Sequence, residues 1–288
     1  MARSCIRPLM PDWTGEPRQV KDTILHTAFK NMAKPLQVDT LTVRISDNRV
    51  LLGTDAASMA AETVRQLLSD KALLNIVFAA APSQNEFLAA LAKEKNIDWR
   101  RVRAFHMDEY TGLPEIAPQR FGNYLKTHFF DLVPLLEVHF LRGESVDSNE
   151  ECRRYAELLI QHPADIVFMG IGENTHLAFN DPHVAKFNDP EMVKVVELDP
   201  ACRQQQVNDG CFSHLEDVPR HALTLTIPAL MKADYVFCMV PGKTKAPAIY
   251  HTLHSNISEK HPSTILRTHP SAILFIDRDS SALLSQTP

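Results

Sequence analysis

Two short stretches of the chain concentrate side chains that can move protons. The first, FHMDEYTGLP (Phe105 to Pro114), runs from an apolar segment into His106, Asp108 and Glu109 and then a turn. Adjacent carboxylates at the end of a strand can act as a general base with an orienting partner. They can equally solvate a strand end or cap a turn, and spacing alone leaves both readings open. The second stretch, FMGIGENTHLAFNDP (Phe168 to Pro182), places His176 five positions before Asp181, behind glycines that permit tight turns. Histidine titrates near neutral pH, and a carboxylate partner fixes its tautomer and raises its basicity. The same spacing suits a histidine hydrogen-bonded within its own loop.

Both stretches need a scaffold to present them. From residue 39 onward, short β-rich runs alternate with helical patterns, the signature of a parallel sheet covered by helices. Strands are expected at 40–45, 74–80, 102–106, 138–141, 166–170, 193–197, 222–225, 235–239 and 272–276. Helices are expected at 56–68, with Asp55 as N-cap, and at 84–94, 121–130, 148–161 and 244–253. In an open parallel sheet, ligands bind beyond the carboxyl ends of the strands, and both motifs directly follow expected strands. The expected fold class is therefore α/β: one Rossmann-like, doubly wound, mostly parallel sheet with helices on both faces, over residues 39–288. Residues 1–38 read as an N-terminal extension, partly helical, with a helix at 20–32 closed by Pro35. No Ser- or Gly-rich linker and no internal repeat divides the rest. Gly170 and Gly172 open a dinucleotide-like fingerprint, but Thr175 takes the third glycine's place and the loop is not the first βα turn. A nucleotide cofactor is not expected.

Composition narrows the partners. With 288 residues, 44% hydrophobic and 23% charged, the chain has the make-up of an ordinary globular protein. Its net charge is -5 and no block of Lys or Arg exceeds two residues, so nucleic acid is not an expected partner. The longest apolar run, Ile76 to Ala81, is far short of the ~20 residues that cross a bilayer. No membrane association and a cytoplasmic location are expected. The five cysteines carry no CxxC pair, which points to reduced thiols rather than a disulfide framework or a zinc site.

Taken together, the two motifs resemble the glucosamine-6-phosphate deaminase family, which shares its fold with 6-phosphogluconolactonase. FHMDEYTGLP matches the family's FNMDEY segment, and GIGENTHLAFNDP its G-x-G-x-x-G-H-x-A-F-N-E-P segment. The likeness covers roughly Val50 to Asp277 and includes PGKTKAPAI (Pro241 to Ile249) and HPSTILRTHPSAILFID (His261 to Asp277). It implies ring opening of an amino-sugar phosphate, proton transfer from C2 to C1 and loss of ammonia, with no metal or redox cofactor. By the same resemblance Asp108 is the base, His176 assists ring opening, Asp181 orients it and Glu109 supports the site. Asn174 stands where the best-known bacterial deaminases have an aspartate, Asp181 where a glutamate is usual, and Thr175 where a glycine is usual. Gly172 and Thr175 then form backbone close to substrate. The family's phosphate loop PTGGTP is replaced by Ala79, Ala80, Ala81, Pro82, Ser83 and Gln84. Ser83, Gln84 and Lys245 are the expected phosphate ligands, with Arg203 as a substitute for a missing arginine. Family members occur as monomers and hexamers, so a homo-oligomer is admitted. The competing readings are a lactonase-like hydrolase and a sugar-phosphate-binding protein without activity.

Overall fold

The computed structural model describes residues 35–284. The helix expected at 20–32 lies outside them. The chain opens with β1 (Leu36–Val38) and β2 (Leu41–Ser46), followed by α1 (Arg49–Asp70) and β3 (Leu74–Phe78). Next come α2 (Asn85–Leu91), β4 (Val102–His106), β5 (Asp108–Tyr110), α3 (Phe121–Leu125) and β6 (Glu137–His139). The middle third holds α4 (Ser148–Gln161), β7 (Ile166–Met169), β8 (Val193–Glu197), α5 (Pro200–Asn208) and β9 (His221–Leu225). The last elements are α6 (Ile227–Met231), β10 (Tyr235–Val240), α7 (Ala246–His254) and β11 (Ala272–Asp277).

Local chemistry sets several of these boundaries. α1 begins about two turns earlier than expected because Asn48, not Asp55, caps it. The Asn48 side-chain oxygen accepts from the Val50 and Leu51 N–H groups, whereas Asp55 accepts from Ser46 Oγ at 2.9 Å. α4 matches its expected span, with Asp147 as N-cap and Glu150 and Glu151 in the first turn, where the helix dipole favours them. The helix expected at 121–130 splits into α3 and a π-helical turn, Lys126–Phe130. That turn carries Phe129 and Phe130 onto Phe78 at ring-centroid distances of 5.2 and 5.3 Å. β1 pairs antiparallel with β2, so the sheet already begins within the residues assigned to the extension.

The main sheet has eight strands in the order β1-β2-β11-β10-β7-β3-β4-β6, parallel throughout except for β1, and is flanked by helices. β3 and β7 lie side by side at its centre and are almost continuously apolar, as strands buried on both faces must be. The expectation of one sheet is corrected in one respect: β5, β9 and β8 form a separate three-stranded antiparallel sheet. From β3 the chain winds outward to β4 and β6, then returns to β7 and winds the other way through β10 to β11. The crevice between β3 and β7 is thus the point where winding reverses, and there a ligand fits without meeting a crossover connection. Among the described residues no helix is long and apolar enough to cross a membrane.

Candidate active site

A cleft of about 490 Å³, open to solvent, lies at that reversal point. Its walls come from residues following β3 (Ala79 to Ala81, Ser83, Gln84), β4 (Met107, Asp108), β7 (Gly170 to Gly172, His176) and β10 (Lys245), and from α5. Both motifs therefore open into one space. Phe121 and Phe179, stacked with ring centroids 5.5 Å apart, supply an apolar wall.

Asp108 is the first residue of β5 and pairs with Thr224 of β9. It is buried, and its carboxylate accepts no hydrogen bond among the described residues. Burial, together with the neighbouring Glu109 charge, pushes its pKa well above the ordinary carboxylate range. An unpartnered, desolvated carboxylate facing a cleft is a strengthened base. Glu109 points the other way and does not line the cleft. Its Oε1 accepts from the Tyr110 and Phe121 N–H groups, its Oε2 accepts from Gly122 N–H, and Arg120 Nε lies 3.6 Å away. Burial raises Glu109 to about 7 against the pull of those donors. It anchors the loop behind Asp108.

His106 is buried and touches no ligand space. Its Nε2 accepts from Leu141 N–H at 2.9 Å, so the ring proton sits on Nδ1 and is donated to the Asp108 carbonyl at 2.9 Å. Burial lowers its pKa to about 4, and the ring is neutral. It positions the backbone of Asp108.

His176 lines the cleft. Its Nδ1 lies 2.9 Å from Asp181 Oδ1 and 2.7 Å from Asn174 Oδ1; both are acceptors, so Nδ1 carries the proton and Nε2 keeps its lone pair. Asp181 is fully buried, and the aspartate reaches the ring although it is a methylene shorter than glutamate. Burial works to raise Asp181, but hydrogen bonds from His176, Asn174 Nδ2 and the Asp199 N–H outweigh it and hold its carboxyl below the ordinary range. Asn174 thus joins the pair by donating to one member and accepting from the other. Gly172 is required by contact: a Cβ there would lie 2.1 to 2.4 Å from three atoms of the His176 ring.

Thr175 departs from the expectation that it borders substrate. It is buried, does not line the cleft, and sits at φ 73, a conformation that costs a β-branched residue about 1–2 kcal/mol. Its backbone accounts for its position: Thr175 N–H donates to the Gly172 carbonyl, and its own carbonyl accepts from Ser263 N–H at 2.9 Å.

The segment replacing the glycine-rich loop is ordered without glycine. No residue from Ala79 to Gln84 is at positive φ, Ala81 is extended, and Pro82–Gln84 form a 3-10 turn leading into α2. Arg49 donates to the Pro82 carbonyl, and Tyr124 donates to the Ala81 carbonyl at 2.8 Å, bracing the segment from two sides. Ser83 and Gln84 line the cleft as expected, with Gln84 Nε2 bonded to Ser83 Oγ and to the Met239 carbonyl. Gln84 Oε1 is buried with no partner among the described residues. Lys245 also lines the cleft; its ammonium has no ion pair among the described residues, and burial lowers its pKa. A cation held there at a desolvation cost would be offset by an anion beside it.

Arg203 is a correction. It lies on α5, but its guanidinium donates to the Leu215 and Val218 carbonyls and does not reach the cleft. Gln205 and Gln206, two positions that the sequence did not single out, line the cleft from the same helix, and Gln205 Oε1 accepts from Glu173 N–H. The polar run Cys202 to Asn208 has no apolar periodicity strong enough to announce a helix that closes a site.

Residues 46–274 match the family described as glucosamine-6-phosphate isomerases/6-phosphogluconolactonase. A glucosamine-6-phosphate deaminase of Bacillus cereus (strain B4264) is 32% identical over 232 residues, covering 81% of this chain and 86% of the relative. Among solved structures, a monomeric glucosamine-6-phosphate deaminase superposes with a TM-score of 0.75 at 27% identity, covering 84% of this chain and 99% of that one. A 6-phosphogluconolactonase from Thermotoga maritima shares the fold, with a TM-score of 0.64 at 20% identity, over 82% of this chain and 99% of that one.

Proposed function

Because this chain belongs, as an enzyme, to the family of glucosamine-6-phosphate isomerases and 6-phosphogluconolactonases, we propose that it deaminates glucosamine 6-phosphate or a close relative. The products are fructose 6-phosphate and ammonia. The observation that carries this reading is the unpartnered Asp108 carboxylate facing the same cleft as a histidine whose proton is fixed on Nδ1. In this reading His176 Nε2 accepts the O1 hydroxyl proton and returns it to the ring oxygen, which opens the sugar. Asp108 then removes the proton from C2; that electron pair forms the C1–C2 double bond while the C1 carbonyl pair passes to O1, which takes a proton from the neighbouring C2 ammonium, and the enolamine collapses to the C2 imine as the same carboxyl delivers its proton to C1. The resulting C2 imine takes up water and expels ammonia. Lys245, Ser83 and Gln84 receive the phosphate at the other end of the cleft.

The test is ammonia and ketose release from glucosamine 6-phosphate by the wild type and Asp108→Asn, with unphosphorylated glucosamine and 6-phosphogluconolactone in parallel. Loss of a positioned base is expected to lower kcat by about 10²–10⁴-fold. Equal release by Asp108→Asn would refute the role of that residue. Lactone hydrolysis without ammonia release from any amino sugar would assign the chain to the hydrolase branch instead.

A further inference from the structure

Behind the proton-transferring histidine, three side chains from distant segments converge: His176 and Asp181 of the loop after β7, and Cys202 of α5. One ligand atom from each lies within 4.8 Å of the other two, and all three residues are buried. We propose that this cluster is an inhibitory site for a thiophilic divalent cation such as Zn²⁺, distinct from any requirement of catalysis.

The donor set is chemically apt. Imidazole nitrogen, carboxylate oxygen and thiolate sulfur are the ligands Zn²⁺ prefers, at about 2.0–2.3 Å. In a tetrahedral arrangement such ligand atoms stand about 3.3–3.8 Å apart, so small side-chain rotations gather the three around one ion. Asn174 Oδ1, already 2.7 Å from His176 Nδ1, is a candidate for the fourth position. Charge balance favours occupancy. A thiolate and a carboxylate around a dication form a neutral unit, which suits a pocket where Asp181 is 0% and Cys202 1% exposed. Burial, and then Asp181, Asp108 and Asp199, raise the pKa of the Cys202 thiol well above its ordinary value, so the thiol keeps its proton until an ion displaces it.

The consequence for the reaction follows from the tautomer. In the metal-free protein the ring proton is on Nδ1 and the lone pair of Nε2 faces the cleft. An ion on Nδ1 displaces that proton, which relocates to Nε2, and binding releases one proton in all, from the Cys202 thiol. His176 can then no longer accept a proton from the sugar. Inhibition rests on the proposed function; metal binding does not. Sequence spacing could not show the site, because its ligands stand 5 and 21 residues apart with no paired cysteines (181 − 176 and 202 − 181).

The experiment titrates the full-length, metal-free protein with Zn²⁺ and with Co²⁺ as its spectroscopic substitute. Retained metal, the visible and near-ultraviolet spectrum and turnover are all followed. One tightly held ion per chain, a thiolate-to-cobalt charge-transfer band and chelator-reversible loss of turnover are expected. Cys202→Ser should lose the band and need at least about tenfold more Zn²⁺ for the same fractional inhibition. Wild-type protein whose Co²⁺ complex lacks a thiolate band overturns the proposal without recourse to any variant. So does Cys202→Ser with unaltered Zn²⁺ sensitivity. A protein that shows the band but deaminates no amino-sugar phosphate when metal-free retains the site and loses the proposed function.

Discussion

Gly172→Ala tests whether the His176 geometry is what the reaction uses. An alanine Cβ would lie 2.1 Å from Cε1, 2.2 Å from Nε2 and 2.4 Å from Nδ1 of His176, where ordinary contact begins at 3.4 Å. The ring, or the loop carrying it, must therefore retreat by about 1 Å. A retreat of that size breaks the 2.7 and 2.9 Å contacts of Nδ1 with Asn174 and Asp181. It also shifts Nε2 relative to Asp108. Misplacement by about 1 Å at a proton-transfer site costs about 100-fold in rate, equivalent to about 2.7 kcal/mol of activation free energy. Steady-state ammonia release measures kcat, and a thermal melt reports whether the fold survives. Gly112→Ala is the control: it forces alanine into φ +81 but its Cβ would meet nothing within 4 Å. That variant should lose about 1–2 kcal/mol of stability and keep its kcat. A Gly172→Ala enzyme with kcat within about threefold of the wild type would refute the reasoning.

Lys245→Met should separate binding from folding. Removing the phosphate's expected cation raises KM by about 10-fold or more, while replacing a buried, unpaired charge with an apolar chain raises unfolding stability by on the order of 1 kcal/mol. Urea unfolding and KM measured on one preparation check both signs. Glu109 gives a pH signature: its folded pKa is raised from 4.5 to about 7, so the folded state holds the proton more tightly than the unfolded chain. Its contribution to stability is complete below pH 4.5 and is lost as pH rises through about 7. Glu109→Gln should flatten the stability profile across that window while lowering stability by about 2 kcal/mol, because an amide N–H replaces one of two acceptors that meet N–H donors. Tyr124→Phe removes a brace from the Ala81 carbonyl and should raise KM severalfold with kcat unchanged, read from initial rates over a substrate series.

The parallel core was legible because its strands carry the pattern that burial on both faces imposes. β4, β8 and α4 lie where the sequence puts them, and the central strands β3 and β7 differ by only one or two residues at their ends. β5 was not legible. Asp108, Glu109 and Tyr110 are all buried, so a three-residue strand shows neither an alternation nor an apolar run. Arg203 misled for a related reason: a charge on a polar stretch says nothing of which face it occupies once the stretch coils into α5. The shape of the alanine segment was not legible either, since the loss of glycine says only that no residue there needs glycine's freedom. The segment needs no left-handed residue, and side chains outside it, Arg49 and Tyr124, hold it in place.

The spacing between the two reacting groups was the least legible quantity, and the fold assigns it to one residue. Asp108 belongs to the antiparallel sheet, His176 to a loop leaving the parallel one, yet in the proposed reaction deprotonation at C2 and ring opening at C1 act on adjacent carbons. Thr224 links them. It stands opposite Asp108 in the register of β5 and β9, and its Oγ1 accepts from the N–H of Phe179, three residues beyond His176. Asn180 reinforces the link by donating to the Leu225 carbonyl at 2.8 Å. From the other side, His106 ties the carbonyl of the base to the end of β4 and to Leu141, and its own N–H donates to the Tyr155 hydroxyl from α4. The base and the histidine loop therefore share β9 as a common rail, and a slip of one residue along it would turn Asp108 away from the cleft. Each motif announces its chemistry locally, whereas the distance between them is a property of a strand that begins 39 residues beyond the later motif (221 − 182).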